Sequence, residues 1–179
     1  IALLFSLQSK AQVINASRPY RPFITTPVQA DTALLTHTPS NSTRNDYGNY
    51  VGFRFVTPSS GSPMIITALG RWVVSGNTAS HTVKLVDNSN NIIASATVNT
   101  NGQPVGYAYT SITPVTLSAN TIYHILSLEV NGGDRWHDSH TVTQTGLVSG
   151  IVASYQSGSS LVTGSANQSY APTNLKYYR

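Results

Sequence analysis

The sequence predicts an all-β protein, an antiparallel β-sandwich of jelly-roll or immunoglobulin-like form. Three observations carry this expectation. Short runs rich in Val, Ile, Thr and Tyr recur from residue 50 onward, clusters of Gly, Asn, Asp and Ser separate them at even spacing, and no stretch has a helical period to rival them. At 179 residues the chain has the length of one domain with a core of its own. It carries no internal repeat of the kind that marks a solenoid or a propeller.

Taken in order, Ile1-Ala2-Leu3-Leu4-Phe5-Ser6-Leu7 followed by Gln8-Ser9-Lys10-Ala11-Gln12 reads as the apolar tail of a secretory signal with a small-residue cleavage site after Ala11. Residues 1–12 are therefore expected to be a signal-peptide remnant, with a short first strand as the alternative, and the protein is expected to be secreted or at the cell surface. So short an apolar stretch cannot span a bilayer, so no membrane insertion is expected. Residues 13–49, rich in Pro, Thr, Ser and Asn, read as linker plus lead-in strand. The sandwich itself is expected over residues 50–179, with strands near Tyr50–Val56, Ile65–Val74, Thr82–Val86, Ile92–Val98, Val105–Tyr109, Ile122–Val130, Thr141–Thr143, Gly150–Tyr155 and Tyr170–Tyr177. Turn chemistry agrees: Asp87-Asn88-Ser89-Asn90-Asn91 lies between two apolar runs, and Asn101-Gly102 tolerates positive φ. In Thr121–Val130, Ile122, Leu126, Leu128 and Val130 share one face, and Tyr123, Ile125, Ser127 and Glu129 the other. Bulk on both faces marks a central strand.

Charged residues are only 9% of the chain, against roughly 25% in typical soluble domains. The net charge is +4, but the basic residues stand singly, with no stripe to follow a phosphate backbone, so nucleic acid is not an expected partner. The absence of cysteine excludes disulfides, thiolate metal sites and thiol catalysis. There is no Gly-x-Ser-x-Gly elbow, no His-Glu-x-x-His and no Gly-rich phosphate loop.

The densest polar and aromatic cluster is Asn131-Gly132-Gly133-Asp134-Arg135-Trp136-His137-Asp138-Ser139-His140, directly after the longest apolar strand. Loops on a rigid scaffold are where binding residues concentrate. An exposed Trp136 would stack on a sugar ring, with Asp134, Arg135, His137 and Asp138 as polar partners. Asp134 and Asp138 are the candidate metal ligands, for calcium, and no other cofactor is expected. The competing structural expectation has Trp136 plugging the end of the sandwich and Asp134 capping a turn. His81 and Arg71 are further candidate ligand-binding residues, although His81 would equally close a turn. Trp72 and His124 are expected to pack in the interior. A glycosidase would need two opposed carboxylates, for which Glu129 with Asp134 or Asp138 is the available set. The structural alternative pairs Glu129 with Arg54, Arg71 or Arg135.

The segments Leu69-Gly70-Arg71, Ser75-Gly76-Asn77, His81 through Asp87, Pro114 through Leu117, Thr121-Ile122-Tyr123, Glu129, Gly132 through Trp136 and Tyr170 through Tyr177 resemble uncharacterised β-sandwich modules of large secreted bacterial proteins. The resemblance covers roughly Gly52 to Tyr177. It implies a sandwich fold and an accessory role beside carbohydrate-active or adhesive domains of a longer multidomain chain. It carries over no ligand and no catalytic residue. The expected function is therefore a non-catalytic binding module for a glycan or cell-surface polymer. The alternatives are a structural or adhesive spacer and, more remotely, a small glycoside hydrolase.

Overall fold

The computed structural model describes residues 31–37, 42–144 and 146–179. The expected signal-peptide remnant and most of the expected linker lie outside the described residues. Every regular element among the described residues is a β-strand: β1 (Thr32–Ala33), β2 (Leu35–His37), β3 (Thr43–Arg44), β4 (Tyr50–Val56), β5 (Ile65–Val73), β6 (Ser80–Asp87), β7 (Ile92–Asn99), β8 (Gly106–Thr116), β9 (Ile122–Leu128), β10 (Trp136–His137), β11 (His140–Gln144), β12 (Ser149–Ser157), β13 (Ser160–Ala166), β14 (Gln168–Ser169) and β15 (Thr173–Tyr178). Among the described residues no helix is long and apolar enough to cross a membrane.

Two antiparallel sheets form the sandwich. The larger has six strands in the order β13-β12-β4-β9-β6-β7, and the smaller has four in the order β1-β15-β5-β8. Non-consecutive neighbours such as β12, β4 and β9 show that the chain crosses between layers rather than meandering within one. Two small ladders, β10-β3 and β14-β11-β2, complete the fold.

The period-2 pattern of each strand explains the core. From the six-stranded sheet come Phe53, Phe55, Val83, Leu85, Tyr123 and Ile125, and they meet Ile66, Leu69 and Leu175 of the four-stranded sheet. The alternation expected along β9 is observed, with Tyr123 and Ile125 in this core. Its other face is covered as well, since His124 and Leu126 are buried, as a central strand requires.

The lead-in ahead of residue 50 belongs to the sandwich. Leu34 and Leu35 are fully buried in the main core, and β1 pairs with β15 at Thr32↔Tyr177 and Ala33↔Lys176. The buried Asn174 amide explains how the chain leaves that ladder. It accepts from the Leu35 N–H at 3.0 Å and donates to the Leu35 carbonyl at 2.8 Å, satisfying both backbone groups where β1 gives way to β2.

The strand expected at Val105–Tyr109 continues to Thr116, and β13 was not expected at all. The last strand begins at Thr173 rather than Tyr170, because Ala171, at φ 45°, breaks the extended backbone between β14 and β15.

Candidate functional site

The loop after β9 holds the residues that the sequence singles out, and the structure divides them among three neighbouring environments. The loop is itself pinned. Gly132 turns at φ 77°, its N–H donates to the Asn45 carbonyl, and the Asn45 amide donates to the Gly133 carbonyl at 3.1 Å.

The first environment is a closed polar network. Arg71, on β5, reaches across the sandwich to Glu129, just past β9, through Nε–Oε1 at 2.9 Å and Nη2–Oε2 at 2.8 Å, and neither side chain has any exposure. Arg71 also donates to the Trp72 and Arg135 carbonyls, and the Ser127 hydroxyl donates to Glu129 Oε1 at 2.7 Å. Arg71 is therefore not a ligand-binding residue; its planar fork is used up inside the protein. Nor does Glu129 line a cleft, which removes the geometry that the hydrolase alternative requires. Of the three arginines that the sequence offered as its partner, the structure selects Arg71.

Asp134 lies beside this pair as an acceptor surrounded by donors. Its carboxylate takes the N–H groups of Thr78 at 3.0 Å and Ala79 at 3.0 Å, the Thr100 hydroxyl at 2.9 Å and His81 Nε2 at 3.1 Å. Burial alone would push its pKa up, but these hydrogen bonds together outweigh burial and hold it at about 2. These donors, most of them on Oδ2, make Asp134 a clamp on the 77–80 turn and on Thr100, the turn-capping role, rather than an open calcium ligand. His81 is buried, with Nδ1 3.1 Å from the Leu128 carbonyl, and it joins this clamp rather than a ligand surface. Asp138 accepts from Arg44 Nη1 at Oδ2, at 3.1 Å, while its Oδ1 is buried without a partner. Among the described residues, no three His, Asp or Glu side chains stand in metal-ligand geometry.

The second environment is an aromatic pocket. Trp136 is only 2% exposed, so the exposed stacking platform is corrected to a buried plug. It packs with Val51 and Ala171, and Tyr47, Tyr155 and Tyr170 close around them. Val51 and Tyr155 are register partners on β4 and β12, next to the partners Phe53 and Ala153. They therefore prolong the inward face of the six-stranded sheet. Here that face is covered by Trp136 of β10 and the chain around Tyr170. A concavity of about 240 Å³ remains, lined by Arg44, Tyr47, Val51, Trp136, Tyr155 and Tyr170. Arg44 stacks its guanidinium 5.2 Å from the Trp136 ring centre, and its backbone pairs with that of Trp136 in the β10-β3 ladder. The Trp136 indole N–H is buried without an acceptor. Tyr155 meets Tyr47 and Tyr170 edge to face at 6.2 and 5.9 Å. The sequence reading missed Arg44, Tyr47, Tyr155 and Tyr170. Their one signal was an excess of tyrosine, 10 residues in all, without an assigned place in the core. Arg135, by contrast, is exposed and reaches the Thr43 hydroxyl at 3.4 Å.

The third environment is a stack of histidines. His137, on β10, donates from Nδ1 to the Ser42 carbonyl at 3.0 Å. Its ring lies 5.2 Å from that of His37 and 5.6 Å from that of His140. His37 also meets His140 edge to face at 4.1 Å and Trp72 at 4.4 Å. Burial, with the neighbouring His140 and His137, pushes the His37 pKa down to about 3, and burial likewise lowers that of His140.

These features define a β-sandwich module with an aromatic pocket beside one buried ion-pair network. A family model described as Domain of unknown function (DUF4082) matches residues 36–178, and the chain belongs to that family. Among the curated proteins no match is found. The matched range begins inside β2, in keeping with a lead-in that is part of the fold.

Proposed function

We propose that the protein is a non-catalytic, extracellular binding module that holds one saccharide unit of a glycan or cell-surface polymer in the aromatic pocket. The observation that supports this reading most is the composition of the pocket wall: three tyrosine rings and a tryptophan supply apolar faces, and Arg44 supplies donors. Sugar recognition joins ring stacking to directed hydrogen bonds from a preformed site. At about 240 Å³ the concavity is somewhat below the roughly 300–1,000 Å³ of drug-sized sites, which suits a single ring rather than a long oligosaccharide. Secretion and membership of a longer multidomain chain are part of the same proposal.

The buried position of Trp136 favours a second reading, a structural or adhesive spacer, because a residue that fills the end of the core needs no ligand to account for it. Titration with a panel of soluble glycans, followed by calorimetry, separates the two. Saturable binding lost in Tyr155→Ala supports the module. Heat that stays at the dilution baseline across the panel supports the spacer.

A further inference from the structure

We propose that Asn101 is a self-modifying site: the folded chain converts it, without an enzyme, to aspartate and isoaspartate, while the fold protects the other Asn-Gly pair of the chain. The proposal is independent of the aromatic pocket. The sequence carries two such pairs, Asn101-Gly102 and Asn131-Gly132, and both have the local chemistry for this change. Glycine has no Cβ to crowd its own nitrogen, so that nitrogen can reach the preceding side-chain amide and close a five-membered ring.

The structure treats the two pairs differently. Asn101-Gly102 lies in the connection from β7 to β8, in a turn closed by the Gln103 N–H donating to the Thr100 carbonyl at 3.2 Å. Residues 101–105 are all exposed. Gly102 stands at φ 70° with open space on the side where a Cβ would project. Among the described residues no acceptor takes the Gly102 N–H, and the Asn101 backbone N–H is steadied by Asn99 Oδ1 at 3.0 Å. At the other pair the Gly132 N–H donates to the Asn45 carbonyl at 2.7 Å, and the Gly133 N–H donates to the Val130 carbonyl at 2.9 Å. The Asn45 amide ties down the Gly133 carbonyl as well. A nitrogen whose proton is held in so short a bond, within a loop pinned on both sides, cannot turn onto the Asn131 side chain until that loop opens.

The reaction at Asn101 needs only water. The Gly102 nitrogen gives its proton to solvent base and attacks Asn101 Cγ. As the new N–Cγ bond closes a succinimide ring, the Cγ–Nδ2 bond breaks and the amide nitrogen leaves as ammonia. Water then opens the ring. Addition at Cγ yields aspartate, and addition at the backbone carbonyl carbon of residue 101 yields isoaspartate, with the chain rerouted through the side chain. One water is consumed, one ammonia is released, and nothing is oxidised or reduced. The product places a new carboxylate one residue from Thr100, which is fully buried and whose hydroxyl donates to Asp134 at 2.9 Å. An exposed change therefore abuts an anchor of the Asp134 clamp.

The test is peptide mapping by mass spectrometry of the chain aged in mildly alkaline buffer, folded and in urea, with isoaspartate scored separately. In the folded chain Asn101 should convert at least tenfold faster than Asn131, because only the latter must wait for local opening, and both acid products should form. In urea the two sites should convert at similar rates. Asn101→Gln, whose longer side chain would have to close a less favourable ring, should abolish the change at position 101 and leave Tm unaltered. Equal rates at the two sites in the folded chain would overturn the proposal, as would an Asn101 that stays intact when folded over the time in which it converts in urea.

Discussion

Arg71 on β5 and Glu129 just past the end of β9 meet as a two-pronged ion pair, at 2.9 and 2.8 Å, with no solvent exposure on either side. Removing one partner leaves the other buried and uncompensated, at a cost of about 3–5 kcal/mol. Glu129→Gln and Arg71→Met should each destabilise the domain to that degree in urea unfolding. The double variant Arg71→Met/Glu129→Leu should recover much of the loss, because an apolar pair of similar volume has no charge to desolvate. Equal losses in single and double variants would show that the pair is valued for its packing alone.

Asn174 holds the lead-in to the sandwich. In Asn174→Leu the Leu35 N–H and C=O lose their partners, and each buried unpaired group costs about 1–3 kcal/mol. Hydrogen exchange should show protection lost first across residues 32–37, ahead of the core strands. Uniform loss across both sheets would mean that the lead-in unfolds only with the whole.

Gly52 occupies the register position between Leu126 and Ser154, and its carbonyl accepts from the Tyr170 N–H at 3.0 Å. A Cβ at this position would collide with the Ile125 carbonyl. Because that obstacle is backbone, Gly52→Ala should cost about 3 kcal/mol and displace Tyr170 from the pocket. Denaturant midpoints and tyrosine fluorescence would reveal both effects. A neutral variant would show that β4 has room to shift.

Acid should destabilise the protein in two steps. Burial holds the pKa of His124 at about 4 against an ordinary 6.5, with Arg54 adding to the shift. The fold therefore favours the neutral ring, and the stability tied to it is present above pH 6.5 and is lost as pH falls toward 4. Asp134, held at about 2 against 3.8, contributes stability that is present above 3.8 and is lost as pH falls toward 2. Guanidinium midpoints measured from pH 7.5 to 2.5 should fall through both windows. His124→Gln should make the upper one, which the buried His37 and His140 share, shallower, and Asp134→Asn the lower. A wild-type curve flat between pH 6.5 and 4 would remove the His124 contribution.

The strands with strong apolar alternation were legible in the chain, and β4 runs over the residues expected of it. β13 escaped because Ser160–Ala166 carries a single apolar pair, Leu161-Val162, among Ser, Gly and Thr, and as an edge strand it has one paired neighbour. β1 to β3 were hidden in Pro- and Thr-rich text, where pairing with β15, β11 and β10 overrides weak local propensity. The loop at residues 131–140 stands out in the sequence for its polar and aromatic residues, yet its inward folding is not readable there. Whether Trp136 faces solvent depends on β3 and Tyr170, which approach from distant stretches of the chain. The histidine stack likewise depends on a ladder between residues about a hundred positions apart, and no local pattern encodes it.

The antiparallel pairing of Thr32 with Tyr177 sets how the domain responds to mechanical load. The start of β1 and the end of β15 lie side by side, so a pull on these two points acts along the hydrogen bonds of the rungs rather than across them in shear. The rungs then open in succession, beginning with Thr32 and Tyr177, and Asn174 is the first obstacle beyond them. Loaded between Thr32 and Tyr177, the edge of the four-stranded sheet would yield by peeling, rung by rung, ahead of the six-stranded sheet.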